Sequence, residues 1–271
     1  MNGPADAELP RPVVPPDVYD EEYYLKACAG YAEWAASEGT EVASIYPGVL
    51  HLAKLRPGET LVDIGTGRGE LLAVAVREGA RRAIGVEYAS AAAALARRTL
   101  AAHGVADKAE VIEADARSIP VDDRTADLVT MIDVVEHLAH DELSHSLREA
   151  LRILKPGGRI FVHTFPSRTL YNVTYRLQRL LVPGRRKRWP ADPRINEYEH
   201  LMHVNEQTLR SLRRYLRDAG FAHARSRVGR WTYTDFVPDE RAKRLYRRLT
   251  AFPLTKRFGI ADLFAEGIRP P

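Results

Sequence analysis

Two short runs of this sequence concentrate imidazoles and carboxylates: Asp133-Val134-Val135-Glu136-His137 and Glu199-His200-Leu201-Met202-His203. A further imidazole, His163, closes an apolar stretch. A free imidazole titrates at about 6.5, so His137, His163, His200 and His203 all have the chemistry to take a proton from a hydroxyl near neutral pH. A divalent ion held by the same residue types would reach a similar end by acidifying the hydroxyl. Each histidine also has a structural reading. His137 suits a ring tied to backbone at the start of a loop, and Leu201 and Met202 give the second run a packing role.

A second set of residues points to ligand binding. Asp63-Ile64-Gly65-Thr66-Gly67-Arg68-Gly69 follows a short apolar run and precedes a helical pattern. Glycines there let backbone approach a ligand that a Cβ would push away, and the following helix offers unpaired N–H groups. Glu70 stands where the dinucleotide fingerprint G-x-G-x-x-G needs its third glycine, which argues against a pyrophosphate-binding NAD site. In Gly85-Val86-Glu87-Tyr88 the carboxylate of Glu87 can accept from both hydroxyls of a ribose. Glu113-Ala114-Asp115-Ala116 supplies a carboxylate and a backbone N–H suited to an adenine edge, and Asp133 ends the run that begins at Asp127. Any one of these acids alone reads as a solvated loop residue. Four of them, each at the end of an apolar run, form a pattern.

The elements that must hold these groups follow from periodicity. Strand patterns at 61–64, 83–86, 109–112, 128–132 and 159–163 alternate with helix patterns at 70–76, 91–103 and 141–154. Gly79 and Gly104 sit where helix ends need a left-handed residue, and Lys155-Pro156-Gly157-Gly158 reads as a sharp turn. Such alternation implies a parallel sheet with helices on both faces. Before it, 23–36 reads as one helix whose aromatics Tyr23, Tyr24, Tyr31 and Trp34 suit core packing with a partial lid role. After it come a helix at 206–219, a strand at 221–228, a basic helix at 238–252 and a last strand at 263–268. The five prolines within residues 1–17 predict a loose segment or one lying along the surface. Residues 18–271 then form one domain: N-terminal helices (18–57), a ligand-binding core (58–166), an acceptor-side insertion (167–205) and C-terminal helices with the last strands (206–271).

Residues 61–161, and more loosely 199–221, resemble the class I S-adenosylmethionine-dependent methyltransferases, especially members that act on small molecules and lipids. The resemblance implies a doubly wound α/β fold: a seven-stranded, mostly parallel Rossmann-like sheet, helices on both faces, an N-terminal helical cap, and an antiparallel strand at 263–268 slotted beside the fifth. It implies that Asp63, Gly65, Thr66, Gly67 and Gly69 cradle the methionine part of S-adenosyl-L-methionine. Glu87 would hold the ribose, Tyr88 would lie against the adenine, Asp115 and Ala116 would bind the adenine edge, and Asp133 would lie near the methyl group. In that topology 199–203 crosses the pocket mouth, which makes His203 and His200 the preferred bases, with His137 and His163 behind them. The run at Asp133–His137 is also similar to a Glu-x-x-Glu-His metal motif of some quinone and small-RNA methyltransferases, where a downstream histidine completes the site; His203 or His200 would play that part. Asp133 departs from that motif and the same run occurs in metal-free relatives, so no metal is expected.

Bulk properties bound the partners. The chain has 271 residues, 45% of them apolar, which suits one elaborated domain with a sizeable core. A net charge of +4 is compatible with an anionic small substrate, an acidic membrane surface or nucleic acid. The basic run Gly184-Arg185-Arg186-Lys187-Arg188 reads as a solvated face or, alternatively, as a clamp for a phosphorylated acceptor. A nucleic-acid surface would combine larger charge with exposed aromatics, so no nucleic-acid partner is expected. Leu245 and Tyr246 among the arginines of 241–248 suit a peripheral membrane contact. One cysteine, no apolar run of the ~20 residues that span a bilayer and no leader pattern together lead to the expectation of a cytoplasmic protein. The expected activity is methyl transfer to a small-molecule acceptor, a hydroxyl of a sugar, nucleoside or other secondary metabolite. The alternatives are RNA methylation, and a cofactor-binding protein that catalyses another step or serves a partner.

Overall fold

The computed structural model describes residues 9–26, 28, 30–43, 45–181, 184, 190–192, 194, 197–229 and 262–271. Its centre is a seven-stranded sheet of β1 (Thr60–Ile64), β2 (Arg82–Glu87), β3 (Ala109–Glu113), β4 (Ala126–Ile132), β5 (Leu154–Thr164), β6 (Ala222–Gly229) and β7 (Asp262–Ile268). The spatial order is β3-β2-β1-β4-β5-β7-β6. The first five strands run parallel, and β7 lies antiparallel between β5 and β6. Every residue of β1 is buried, as expected of a strand covered on both faces.

Alternate residues of the strands feed two cores. Leu61, Ala83, Leu128 and Phe161 pack with α3 (Ile45–Ala53) and α4 (Glu70–Arg77). Val62, Ile84, Val129 and Ile160 pack on the other face with α6 (His140–Ile153) and a late helix, Leu209–Asp218. The order of strands reverses between β1 and β4, so their carboxyl ends open a crevice there. The four acids and the glycine loop of the sequence all lie at that edge.

Several expectations need correction. The helix expected at 23–36 is two helices, α1 (Glu21–Lys26) and α2 (Tyr31–Ser37). The break falls at Gly30, whose φ of 73° suits glycine and whose added Cβ would meet the Ala43 Cβ at 2.6 Å. Trp34 is buried and its Nε1 donates to Thr99 Oγ1 at 2.8 Å, tying the cap to α5 (Ser90–Ala102). The helix α3 was missed in the sequence. The expected turn at 155–158 stays within β5 as a bulge between the Ala126–Leu154 and Leu128–Arg159 pairs. The helix expected from 206 starts at Leu209, because Thr208 caps it by accepting the Ser211 N–H.

Residues 9–18 lie along the surface, the second of the two expected placements, with most of them exposed, and they are pinned there. Val14 is buried, the Val13 N–H donates to Glu142 Oε1 at 2.8 Å, and Arg117 Nη1 donates to the Pro10 carbonyl at 2.8 Å. Prolines preset an extended strap that loses little entropy on docking. The helix expected at 238–252, with its arginines, and the basic run at 185–188 lie outside the described residues. Among the described residues no helix is long and apolar enough to cross a membrane.

Candidate functional site

The carboxyl edge of the sheet opens into a cavity of about 550 Å³. The glycine loop forms its floor. Gly65, Gly67 and Gly69 all have positive φ. A Cβ on Gly65 would meet Val134 Cγ2 at 2.4 Å, and one on Gly69 would meet Ala96 Cβ at 2.9 Å. Gly67 differs: its only neighbour within 4 Å of an added Cβ is the Tyr24 ring, so this backbone faces open space. Asp63 beneath the loop is buried and accepts from Thr130 Oγ1 at 2.6 Å. Burial raises its carboxyl to about 6.

Glu87 lies where β2 meets the cavity. Its Oε2 accepts the Gly67 N–H at 2.8 Å and its Oε1 the Ala89 N–H at 2.9 Å. The Tyr88 N–H bonds it as well, and the acceptor capacity left over of a carboxylate's about four positions faces the cavity, where a ribose would donate. Burial lifts this carboxyl to about 7, against the pull of the backbone N–H groups. The glycine cradle and this partly satisfied carboxylate fit the methionine and ribose of S-adenosylmethionine. Tyr88, Asp115 and Ala116 all line the same cavity, and Asp115 also engages a neighbouring arginine. Its two oxygens take Nε and Nη2 of Arg117 at 2.7–3.0 Å, and Oδ1 also accepts the Arg117 N–H. The carboxylate expected at the adenine edge thus lines the cavity and also anchors Arg117, which in turn holds the strap.

The four histidines separate into different environments. His163 is wholly buried, with Nδ1 2.7 Å from Asp133 Oδ1 and Nε2 3.1 Å from Asp262 Oδ1. Burial alone would lower its pKa, but the two carboxylates outweigh that and raise it to about 9. A charged imidazolium locked between two acids has no proton-accepting position to offer, so His163 positions Asp133 and does not face the mouth. His200 is exposed, is not among the cavity-lining residues, and sets Nε2 2.9 Å from the Arg194 carbonyl oxygen.

His137 and His203 are the pair inside the cavity, edge to face with centroids 4.9 Å apart. The Tyr19 hydroxyl lies 3.2 Å from His137 Nδ1. Burial, then His203, holds His137 well below the usual imidazole range. Burial also lowers His203 to about 4, and its buried Nδ1 has no hydrogen-bond partner among the described residues. Both rings are therefore neutral at pH 7 and able to accept a proton. Glu136 lies beside them, buried, with Oε2 accepting from Thr164 Oγ1 at 2.8 Å. Burial and then Asp133 lift its carboxyl to about 8. One ligand atom each of Glu136, His137 and His203 falls within 4.8 Å of the others, a spacing that can also admit a cation.

The remaining wall was anticipated in part, through the lid role of Tyr23 and the acceptor-side insertion 167–205 that holds Tyr171 and Tyr198, whereas Tyr19 and Phe165 were not singled out. Tyr19, Tyr23, Tyr171, Tyr198 and Phe165 line the cavity. Tyr23 packs edge-on against Tyr19, Tyr24 and Tyr198 at 5.1–5.8 Å. Among the described lining residues the cations are Arg68 and Arg117, and both are in ion pairs, Arg68 with Glu70 at 2.6 Å and Arg117 with Asp115 at 2.7 Å.

A family model described as a methyltransferase domain matches residues 39–225. The ubiquinone/menaquinone biosynthesis C-methyltransferase UbiE of Ectopseudomonas mendocina (strain ymp) is 28% identical over 184 residues, covering 64% of this chain and 68% of that one. The demethylmenaquinone methyltransferase of Thermus thermophilus is 33% identical over 137 residues, covering 49% and 60%. The structure of geranyl diphosphate C-methyltransferase from Streptomyces coelicolor A3(2), with Mg2+, geranyl diphosphate and S-adenosyl-L-homocysteine, superposes with a TM-score of 0.57 at 17% identity, over 99% of this chain and 94% of that one.

Proposed function

Because the chain belongs to the methyltransferase-domain family, matched over residues 39–225, we propose that its acceptor is a small, uncharged, ring-bearing molecule whose hydroxyl loses a proton to the His137–His203 pair. The chain is an S-adenosylmethionine-dependent methyltransferase; the proposal concerns what it methylates and which side chains do the work. The observation that carries it is a neutral imidazole pair facing a cavity walled by tyrosines.

Asp63, Gly65, Thr66, Gly67 and Gly69 hold the methionine portion, Glu87 the ribose, and Tyr88 with Ala116 the adenine. When bound, the cofactor supplies a methyl group on a sulfonium, open to in-line attack by a nucleophile. Asp133, fixed by His163, presents carboxylate charge beside that position. The Tyr19, Tyr23, Tyr171 and Tyr198 rings hold a flat acceptor and exclude water. The acceptor O–H proton passes to an imidazole nitrogen of His203 or His137. With a phenol or quinol, the resulting charge spreads over oxygen and the adjacent ring carbon, so either atom can take the methyl group. This replaces the sugar or nucleoside hydroxyl of the first expectation with a ring hydroxyl, in keeping with relatives named for quinone biosynthesis. A phosphorylated acceptor fits less well, because the described lining arginines are already paired.

The test is product analysis by mass spectrometry with methyl-labelled cofactor and a panel of acceptors: a quinol, a simple phenol, a sugar, a phosphorylated prenol and RNA. Label on the quinol or phenol supports the proposal. Label confined to the phosphorylated prenol, sugar or RNA, or none at all with cofactor bound, defeats it.

A further inference from the structure

The helix that carries Tyr171 into the cavity has a second face. The chain is π-helical over Leu170–Tyr175 and continues directly as α7 (Arg176–Leu181). Leu170, Tyr171 and Thr174 are buried on the inner side. Val173, Leu177 and Leu180 are 46%, 50% and 66% exposed. Their i, i+4, i+7 spacing puts them on one stripe. A surface helix of a water-soluble domain turns charge outward. Here leucines point into solvent, and that arrangement marks an interaction surface.

The charge around the stripe identifies the partner. Between Thr164 and Leu181 the sequence has no Asp or Glu, but it has Arg168, Arg176 and Arg179. Arg168 and Arg176, in the same stretch of chain, are exposed. Leucines flanked by bases match the boundary between acyl chains and anionic headgroups. A second copy of the chain would set like charges against each other, and a nucleic acid would leave the leucines in water.

We propose that the Leu170–Leu181 helix docks this protein on an anionic bilayer, with Val173, Leu177 and Leu180 in the interface. The cavity behind Tyr171 then takes a lipid-soluble acceptor from that surface; this second part rests on the ring-hydroxyl reading above. Docking needs no covalent step and no transmembrane segment.

Docking is tested with the full chain and vesicles, without turnover. In cosedimentation, vesicles of equal phosphatidylglycerol and phosphatidylcholine should carry the protein down, and pure phosphatidylcholine vesicles should do so at least ten-fold less well. High salt should release it. The Leu177→Gln/Leu180→Gln pair keeps the charge and should weaken binding to the anionic vesicles at least ten-fold. Its cofactor titration and melting temperature should match the parent, and Val173→Gln provides a second variant if the pair melts early. Vesicle binding unchanged by both variants would mean that charge alone binds, and would overturn the stripe. So would a parent that stays in the supernatant, or one that binds RNA but not vesicles. A dimer in light scattering that these variants dissolve, without effect on vesicles, would overturn it in favour of self-association. None of these outcomes depends on which acceptor is methylated. The delivery half fails separately if vesicles bind but do not raise turnover of a lipid-dissolved quinol over a water-soluble one.

Discussion

Glu87 accepts from the backbone of Gly67, Ala89 and Tyr88, and its carboxyl is lifted to about 7 by burial. Two ribose hydroxyls would donate to the charged form and favour it, so cofactor binding should expel a proton. Affinity measured by calorimetry should therefore rise as pH increases through 7. Glu87→Ala should weaken binding by about 1–3 kcal/mol, the range for a lost charged hydrogen-bonding group. Glu87→Gln should abolish the pH dependence. Parent-like affinity in both variants would remove Glu87 from the site. His203 has the opposite shift, down to about 4. If it is the base, His203→Ala should lower turnover by roughly 10²–10⁴-fold and leave cofactor affinity nearly intact. The acid limb of turnover should then lie below pH 6.5, the usual imidazole value. Turnover should also survive a strong chelator, because Glu136 is held protonated at neutral pH and is hydrogen-bonded to Thr164. Loss restored by magnesium or manganese would instead make Glu136, His137 and His203 ligands.

At the scale of elements, the Asp133–His163–Asp262 chain joins β4, β5 and β7 through one buried imidazolium. Its pKa in the folded protein, about 9, lies above the ordinary imidazole value of about 6.5. A raised base stabilises the fold fully below its unfolded pKa, and that contribution fades as pH rises toward the folded value. Melting temperature should thus fall between about pH 6.5 and 9 in the parent. His163→Gln should be less stable at pH 6 and flatter across this window; an unchanged slope would show that other groups control it. The N-terminal strap makes a similar point about reach. Arg117 and Glu142 hold residues 10–13 beside the cavity wall to which Pro12 and Val14 contribute. Removing residues 1–14 should speed cofactor dissociation in stopped-flow measurements while leaving the fold cooperative. An unchanged off-rate would reduce the strap to packing. Neither device was legible in the sequence. Asp262 lies 99 positions from His163, and a proline-rich start carries no periodicity that reveals its partner.

For the whole molecule, the sheet was legible because burial on both faces writes each central strand as an apolar run ended by a glycine or acid. The cofactor loop was legible because positive φ favours glycine at 65, 67 and 69, and close approach adds to that at 65 and 69. The acceptor wall was legible only in part: Tyr23 had a lid reading and 167–205 an acceptor-side one, but Tyr19, Tyr23, Tyr171 and Tyr198 come from segments that only the folded topology brings together. The cavity draws residues from the strap, the N-terminal cap, the edge of the sheet and the insertion. A ligand that bridges them binds the native state alone and should stabilise the molecule as one unit. At a hundred times its dissociation constant, that stabilisation is about 2.7 kcal/mol. For a domain of this size each kcal/mol moves the midpoint by roughly 2–4 °C, so S-adenosylmethionine should raise the melting temperature by about 5–10 °C in one transition. NAD should cause no shift, since Glu70 occupies the place of the third fingerprint glycine. Removal of residues 1–14 should shrink the shift, and Glu87→Ala should shrink it further at the same cofactor concentration. Two separate transitions, only one of them moving with cofactor, would show that the cap and strap fold apart from the sheet and that the cavity is not closed by them.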